Sequence, residues 1–245
     1  MAKTPVRTRR SGSQLSREAI IEASLRIAAR GSGDAFTVRR LGEELGADPT
    51  AVYRHFRDKD ELLLSVADRV YGEVIEGIPD GLDWKDRLRA LADVALRVGL
   101  KYPAVASITA SRTTRRANEF RLVELILGAI NEAGLDGADA ALHYRAVADA
   151  LLAHIGQAAA YVLFAPEVRA GDESSWVREY RMVDAERFPH ITRLSAELAE
   201  VRPAPVYAVQ VEALIAAIEA RAAAVSVSAV EPVPSTLPDP RHRSS

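Results

Sequence analysis

Apolar positions along this chain recur at helical spacing, and no stretch carries a convincing two-residue alternation of the kind a half-buried strand needs. Val38, Leu41, Gly42 and Leu45 fall at i, i+3, i+4 and i+7, which predicts a short helix. Thr37 is placed to cap it, because its hydroxyl can accept from the free amides of the first turn. Gly46 follows the last apolar position, where a left-handed residue is wanted. Asp48 then offers a second N-cap, and Pro49 a first helical position where a missing N–H costs nothing. A second helix, Pro49 to Phe56, is therefore expected directly after a tight turn. That is the shape of a helix-turn-helix.

The remaining pattern predicts helices throughout. Ser16 caps Arg17–Arg30, which Gly31-Ser32-Gly33 should end. Asp58-x-x-Glu61 reads as a capping box opening a helix from Asp58 to Glu76, the mechanical link between the first helices and the rest. A Pro/Gly loop over Gly77–Asp83 marks the domain boundary. Helices follow at Trp84–Lys101, Pro103–Ala110, Asn118–Ala133 and Asp139–Phe164. Ala165–Ser175, with Pro166 and Gly171, reads as a loop. Trp176–Arg187, Pro189–Val201 and Pro205–Ala224 read as helices. Residues 1–14 are expected to be a flexible basic arm and residues 225–245 a disordered tail. The two domains then span 15–76 and 83–224. The fold class is all-α, in helix-on-helix layers.

At about 100° per residue, Pro49, Val52 and Phe56 share one face of the second helix, while Thr50, Tyr53, Arg54 and Arg57 share the other. A hydroxyl, a phenol and two guanidiniums suit phosphates and base edges, although a polar face by itself is more often merely solvated. Its sequence context points further. Phe36-Thr37-Val38-Arg39, Leu45-Gly46, Thr50-Ala51-Val52-Tyr53-Arg54-His55-Phe56 and Asp58-Lys59-Asp60-Glu61-Leu62-Leu63 resemble the DNA-binding domain of the tetracycline-repressor (TetR) family. The resemblance covers Gln14 to Glu73, and the Tyr-x-His-Phe ending before Lys-x-x-Leu-Leu is its most specific part.

That resemblance implies an N-terminal three-helix DNA-binding domain and a C-terminal helical domain for ligand binding and dimerisation. It carries DNA contacts onto Thr37, Arg39, Thr50, Ala51, Tyr53, Arg54, His55 and Lys59. It implies a homodimer pairing through the Asp139–Phe164 and Pro205–Ala224 helices, a double-stranded DNA operator and a small-molecule effector. Repression is the implied mode.

Charge is unevenly spread. Residues 1–60 hold 12 Lys/Arg against 8 Asp/Glu, whereas the rest holds 20 against 26. A basic module on an acidic body fits a partner with phosphates at one end only. Lys3, Arg7, Arg9 and Arg10 could lie along DNA or simply solubilise the arm. The chain has no Cys, and it shows no G-x-S-x-G, H-E-x-x-H or P-loop pattern, so an enzyme is not expected. His143 and His154 share a helix face roughly 16 Å apart, too far for one metal. No metal and no cofactor are expected. The most apolar segment, Ala146–Ala165, contains Asp149, His154 and Gln157, which reads as a buried helix and not a membrane span. No secretory signal is visible, and a cytoplasmic protein is expected.

Aromatic residues gather in the body. Tyr102, Tyr144, Tyr161 and Trp176, with Gln157, are the candidate walls of a ligand cavity, against a plain core-packing role for each. The rival to a regulator is an all-α enzyme or a helical interaction module with an incidental helix-turn-helix.

Overall fold

Side-chain caps start six of the elements. Ser16, Thr37, Asp48, Asp58, Asp83 and Asp136 each accept a hydrogen bond from an amide in the turn that follows. The computed structural model describes residues 15–30 and 37–230, with side chains to residue 227. Its helices are α1 (Arg17–Ala29), α2 (Val38–Leu45), a 3-10 helix (Pro49–Arg54), α3 (Lys59–Glu76), α4 (Trp84–Lys101), α5 (Pro103–Thr109), α6 (Ala117–Glu132), α7 (Gly137–Val162), α8 (Pro166–Arg178), α9 (Pro189–Glu200) and α10 (Pro203–Val230). Among the described residues there is no strand. The fold class is all-α.

Ile20, Leu41, Val52, Phe56, Leu62 and Val66 are buried where α1, α2, the 3-10 helix and the start of α3 meet. α3 then runs on into the body, where it packs on α4, α5 and α6. α7 lies across α4, α5 and α6, and α10 covers α4 and α7. Close approach in this bundle needs glycine at one crossing above all. A Cβ on Gly156 would sit 2.4 Å from the Ala110 Cβ, so only a residue without one lets α7 meet the end of α5.

Four sequence expectations change. The second helix of the helix-turn-helix is a six-residue 3-10 helix. The His55 amide bonds back to the Val52 carbonyl, so the turn tightens before it can lengthen. The loop expected at Ala165–Ser175 is instead α8, because Pro166 fits the first helical position and Gly171 is tolerated on an exposed helix. The helix expected over Trp176–Arg187 stops at Arg178. There the Asp184 carboxylate accepts from the Glu186 amide at 2.9 Å and its carbonyl from the Phe188 amide at 2.8 Å, forming a turn before Pro189. The last helix continues to Val230, so residues 225–230 of the expected tail are helical. The basic arm, the Gly31-Ser32-Gly33 stop and residues 231–245 lie outside the described residues.

Candidate nucleic-acid interface and internal cavity

The turn after α2 closes tightly because Gly46 adopts φ 60°. Gly42 lets the next element press against α2, since a Cβ there would come within 2.8 Å of the Pro49 ring. Val52 and Phe56 anchor the 3-10 helix inward, each 1% exposed. Pro49, expected on that inner face, is exposed at its edge. Thr50, Tyr53, Arg54 and Arg57 face outward.

The eight candidate DNA contacts divide by exposure. Thr37, Arg39, Thr50, Tyr53, Arg54 and Lys59 are exposed, whereas Ala51 and His55 are half-buried. Thr37 and Lys59 line one crevice between α2 and α3. Arg39 reaches Glu43 at 3.2 Å on the solvent side of α2. The Thr50 hydroxyl donates to Asp48 Oδ1 at 2.6 Å. That hydroxyl and the Thr50 amide hold the Asp48 carboxyl below its usual range.

Sequence reading missed the residue that fastens this surface. Arg17, on α1, donates to the His55 carbonyl at 2.8 Å, to Glu61 Oε1 at 2.9 Å and to Ser65 Oγ at 2.9 Å. Its guanidinium also lies 4.2 Å from the centre of the Phe56 ring. One side chain thus ties the end of the 3-10 helix to α3. No local pattern signals it, because every partner is more than 35 residues away. The capping box is also shifted by one residue. Asp58 accepts from the Glu61 amide, but Glu61 Oε2 accepts from the Arg57 amide instead of that of Asp58. The Arg57 amide and then Arg17 lower the Glu61 pKa.

A cavity of about 330 Å³ lies within the body. Ala67, Val70, Tyr71 and Val74 of α3 form one wall, with Leu91 and Ala95 of α4, Leu122 and Ile126 of α6, and Leu151, Leu152 and Ile155 of α7 around it. Polar groups enter from the segment Thr109–Thr113, from Glu119 and from Tyr144, Arg145 and Asp149. Burial, followed by the nearby charge of Glu119 and Asp68, pushes the Tyr71 phenol up to about 12.

Of the five residues expected to line a ligand cavity, only Tyr144 does so. Tyr102 is buried elsewhere, its hydroxyl donating to Glu73 Oε2 at 2.9 Å. Gln157 points from the exposed side of α7. Tyr161 donates to the Arg169 carbonyl at 3.1 Å, and Trp176 stacks on Tyr180 at 4.2 Å, both by α8. The reason is geometric: α7 turns Gln157 and Tyr161 away from α3. Tyr71, in the middle of α3, is the cavity aromatic that the pattern did not single out. His154 stacks on Tyr207 at 4.4 Å and the His143 ring bonds the Asp139 carbonyl; both are half-buried and neither lines the cavity. Among the described residues no group of three or more His, Asp or Glu could hold a metal.

Cavity and outer surface are joined through α3. Asp68 Oδ1 accepts from the Asn118 and Glu119 amides at 3.1 Å each, so a carboxylate on α3 caps α6. Arg112, after α5, pairs with Asp60 in the first turn of α3. No single described helix is long and apolar enough to cross a membrane; α7 and α8 would pass only together, and they meet at 115°.

A helix-turn-helix with an exposed polar face, joined by one helix to a hollow helical body, defines the class of helical DNA-binding transcriptional regulators. The chain belongs to the tetracycline-repressor family: it matches the family model of bacterial regulatory proteins of the tetR family over residues 20–66, and that of the tetracyclin repressor-like C-terminal domain over residues 78–220. It is 26% identical over 182 residues to an HTH-type transcriptional regulator of Saccharopolyspora erythraea, covering 74% of this chain and 76% of that protein. It is 30% identical over 129 residues to the class C tetracycline repressor protein of Escherichia coli, covering 52% and 58%. The fold is also that of ActR from Streptomyces coelicolor, solved in complex with actinorhodin: TM-score 0.74, 22% identity, covering 86% of this chain and 99% of that one.

Proposed function

We propose that this regulator is a homodimeric repressor that occupies a near-palindromic operator and leaves it when a small molecule fills the cavity. The observation that carries this reading is the course of α3. Its first turn follows the exposed face of the 3-10 helix by four residues, and its second half is a wall of the cavity. A ligand that shifts Val70, Tyr71 or Val74 moves Thr50 to Arg57 in each subunit, so the pair no longer fits half-sites roughly 34–36 Å apart. The ligand must bind the DNA-incompetent arrangement more tightly, since equal affinity shifts nothing. The repressors named among the relatives, such as Rv1353c of Mycobacterium tuberculosis, and the ligand-bound ActR support this sign and mode.

Dimerisation runs through α7 and α10. Leu142 and Val162 on α7 and Val206, Val209 and Val227 on α10 are exposed, up to 70% for Val209, which is apolar surface in want of a partner. The protein acts in the cytoplasm, without enzymatic activity, cofactor or membrane. Arg39, Thr50 and Arg54 read bases, while Thr37, Tyr53, His55 and Lys59 hold phosphates and Ala51 packs between them. Thr50 must exchange its bond to Asp48 for one to a base.

A gel shift on DNA flanking the protein's own coding region tests this, with a steep salt dependence expected. Arg39→Ala should cost about 1–3 kcal/mol and relax one position of the site, while Tyr53→Phe weakens binding on every sequence. Equal loss on specific and random DNA for Arg39→Ala would sink the base-reading role. Operator and effector should weaken each other by the same factor.

A further inference from the structure

The charged residues of the cavity wall are not equivalent. Glu119 is satisfied inside the body, accepting from the Thr114 hydroxyl at 2.8 Å and from the Arg115 amide. Arg145 and Asp149 pair with each other at 3.0 Å along α7. Arg112 alone among these four has its partner outside the body: its Nη2 lies 2.9 and 3.0 Å from the two carboxylate oxygens of Asp60. Asp60 stands two residues beyond Asp58, the cap that follows the DNA-facing turn. Arg112 therefore lines the cavity while its guanidinium holds the first turn of α3.

We infer that the effector is an amphipathic carboxylate whose head group takes Arg112 from Asp60. This rests on the cavity being the effector site. Three features of the wall carry the inference. Its far end is apolar, with Val74, Leu91 and Ile126, and lies about 10 Å further along α3 than Ala67 at 1.5 Å per residue. Its polar end, around Arg112, faces the DNA-binding helices. The Arg112–Asp60 pair is half exposed, with side chains 39% and 51% accessible, so it is weakly held and open to exchange. A planar guanidinium offers a carboxylate in the cavity a bidentate contact that a neutral head cannot match. The exchange requires no change in protonation. It leaves Asp60 without its partner and leaves the first turn of α3 held to the α5–α6 segment by the longer bond from Arg116 to the Glu61 carbonyl at 3.4 Å.

Titration calorimetry on the full-length protein with decanoate and 1-decanol tests this. Decanoate should bind about tenfold or more tightly than the alcohol. Arg112→Gln should erase that preference and leave alcohol binding unchanged. Asp60→Asn should strengthen decanoate binding, because it removes the competitor for Arg112; a purely structural ion pair predicts no gain. Equal binding of the two probes, no binding of either, or weaker decanoate binding by Asp60→Asn would overturn the proposal. Ala148→Phe, which fills the cavity, separates the two readings. If both probes bind equally and this variant abolishes both, the cavity stands as the ligand site and the carboxylate assignment falls. If it affects neither probe, the cavity itself is not the site.

Discussion

The DNA-facing turn and the cavity are built on opposite plans, although one helix serves both. The turn is a short local unit. Two caps, one left-handed glycine and two buried anchors, Val52 and Phe56, hold it, and Arg17 fastens its end. Its working side chains gain nothing from burial; they are held out by the anchors beneath them. The cavity is the reverse. Five helices enclose it, no local motif marks it, and its shape depends on how closely α7 approaches α5. A surface made by neighbours in sequence can be rigid while a space made by distant helices can deform. That asymmetry suits the proposed ligand control, in which a deformation arising in the cavity would be read out by a turn that moves as one piece.

The largest expected effect breaks the first plan. Phe56 is 1% exposed beneath the turn and stacked under Arg17. Phe56→Ala should cost about 3–5 kcal/mol of stability, seen as a lower denaturant midpoint, and should abolish DNA binding on any sequence. Ligand binding in the body should survive wherever the variant is folded.

Alkaline pH separates the regions next. Acid does not, because carboxylates are held low in both: Asp58 and Glu61 beside the turn, Asp139 and Glu212 in the body. Tyr71, in contrast, is a cavity residue whose phenol is raised to about 12. A free phenol titrates near 10, so between about pH 10 and 12 the unfolded chain releases a proton that the folded chain keeps. Stability is full below pH 10 and falls as pH rises through that window, by about 3 kcal/mol for this group. Tyr71→Phe should flatten the slope of stability against pH there. An unchanged slope would mean that the phenol is not desolvated.

The smallest effect sharpens the second plan. Gly156→Ala places a methyl 2.4 Å from the Ala110 Cβ, which cannot rotate away. The helix propensity of alanine favours the change by about 1 kcal/mol, but overpacking at a helix crossing costs more, so a net loss of about 1–2 kcal/mol is expected. Because Ala110 lines the cavity, effector affinity should change more than operator affinity in the ligand-free protein. Melting curves and operator titrations compare the two directly.

Much of this molecule was legible from sequence alone, and the exceptions follow one rule. The caps at Ser16, Thr37, Asp48 and Asp58, the stop at Gly46 and the inward pair Val52 and Phe56 were determined by residues within a few positions of one another, as was the all-α class. Helix periodicity and capping are local physics, so a linear reading reaches them. The path from Ala165 to Pro189 was misread because Pro166 and Gly171 are weak signals that a helix start and an exposed helix both accommodate. Tertiary structure alone decided which aromatics meet. Tyr102, Tyr161 and Trp176 found partners outside the cavity, and Tyr71 entered it, because the rotation of each helix about its axis is set by what packs against it. Arg17 on the 3-10 helix, Asp68 on the end of α6 and Arg112 on Asp60 are contacts across 38 to 52 residues. No periodicity encodes such pairs; they exist only once the hydrophobic faces have closed and brought the charges within reach.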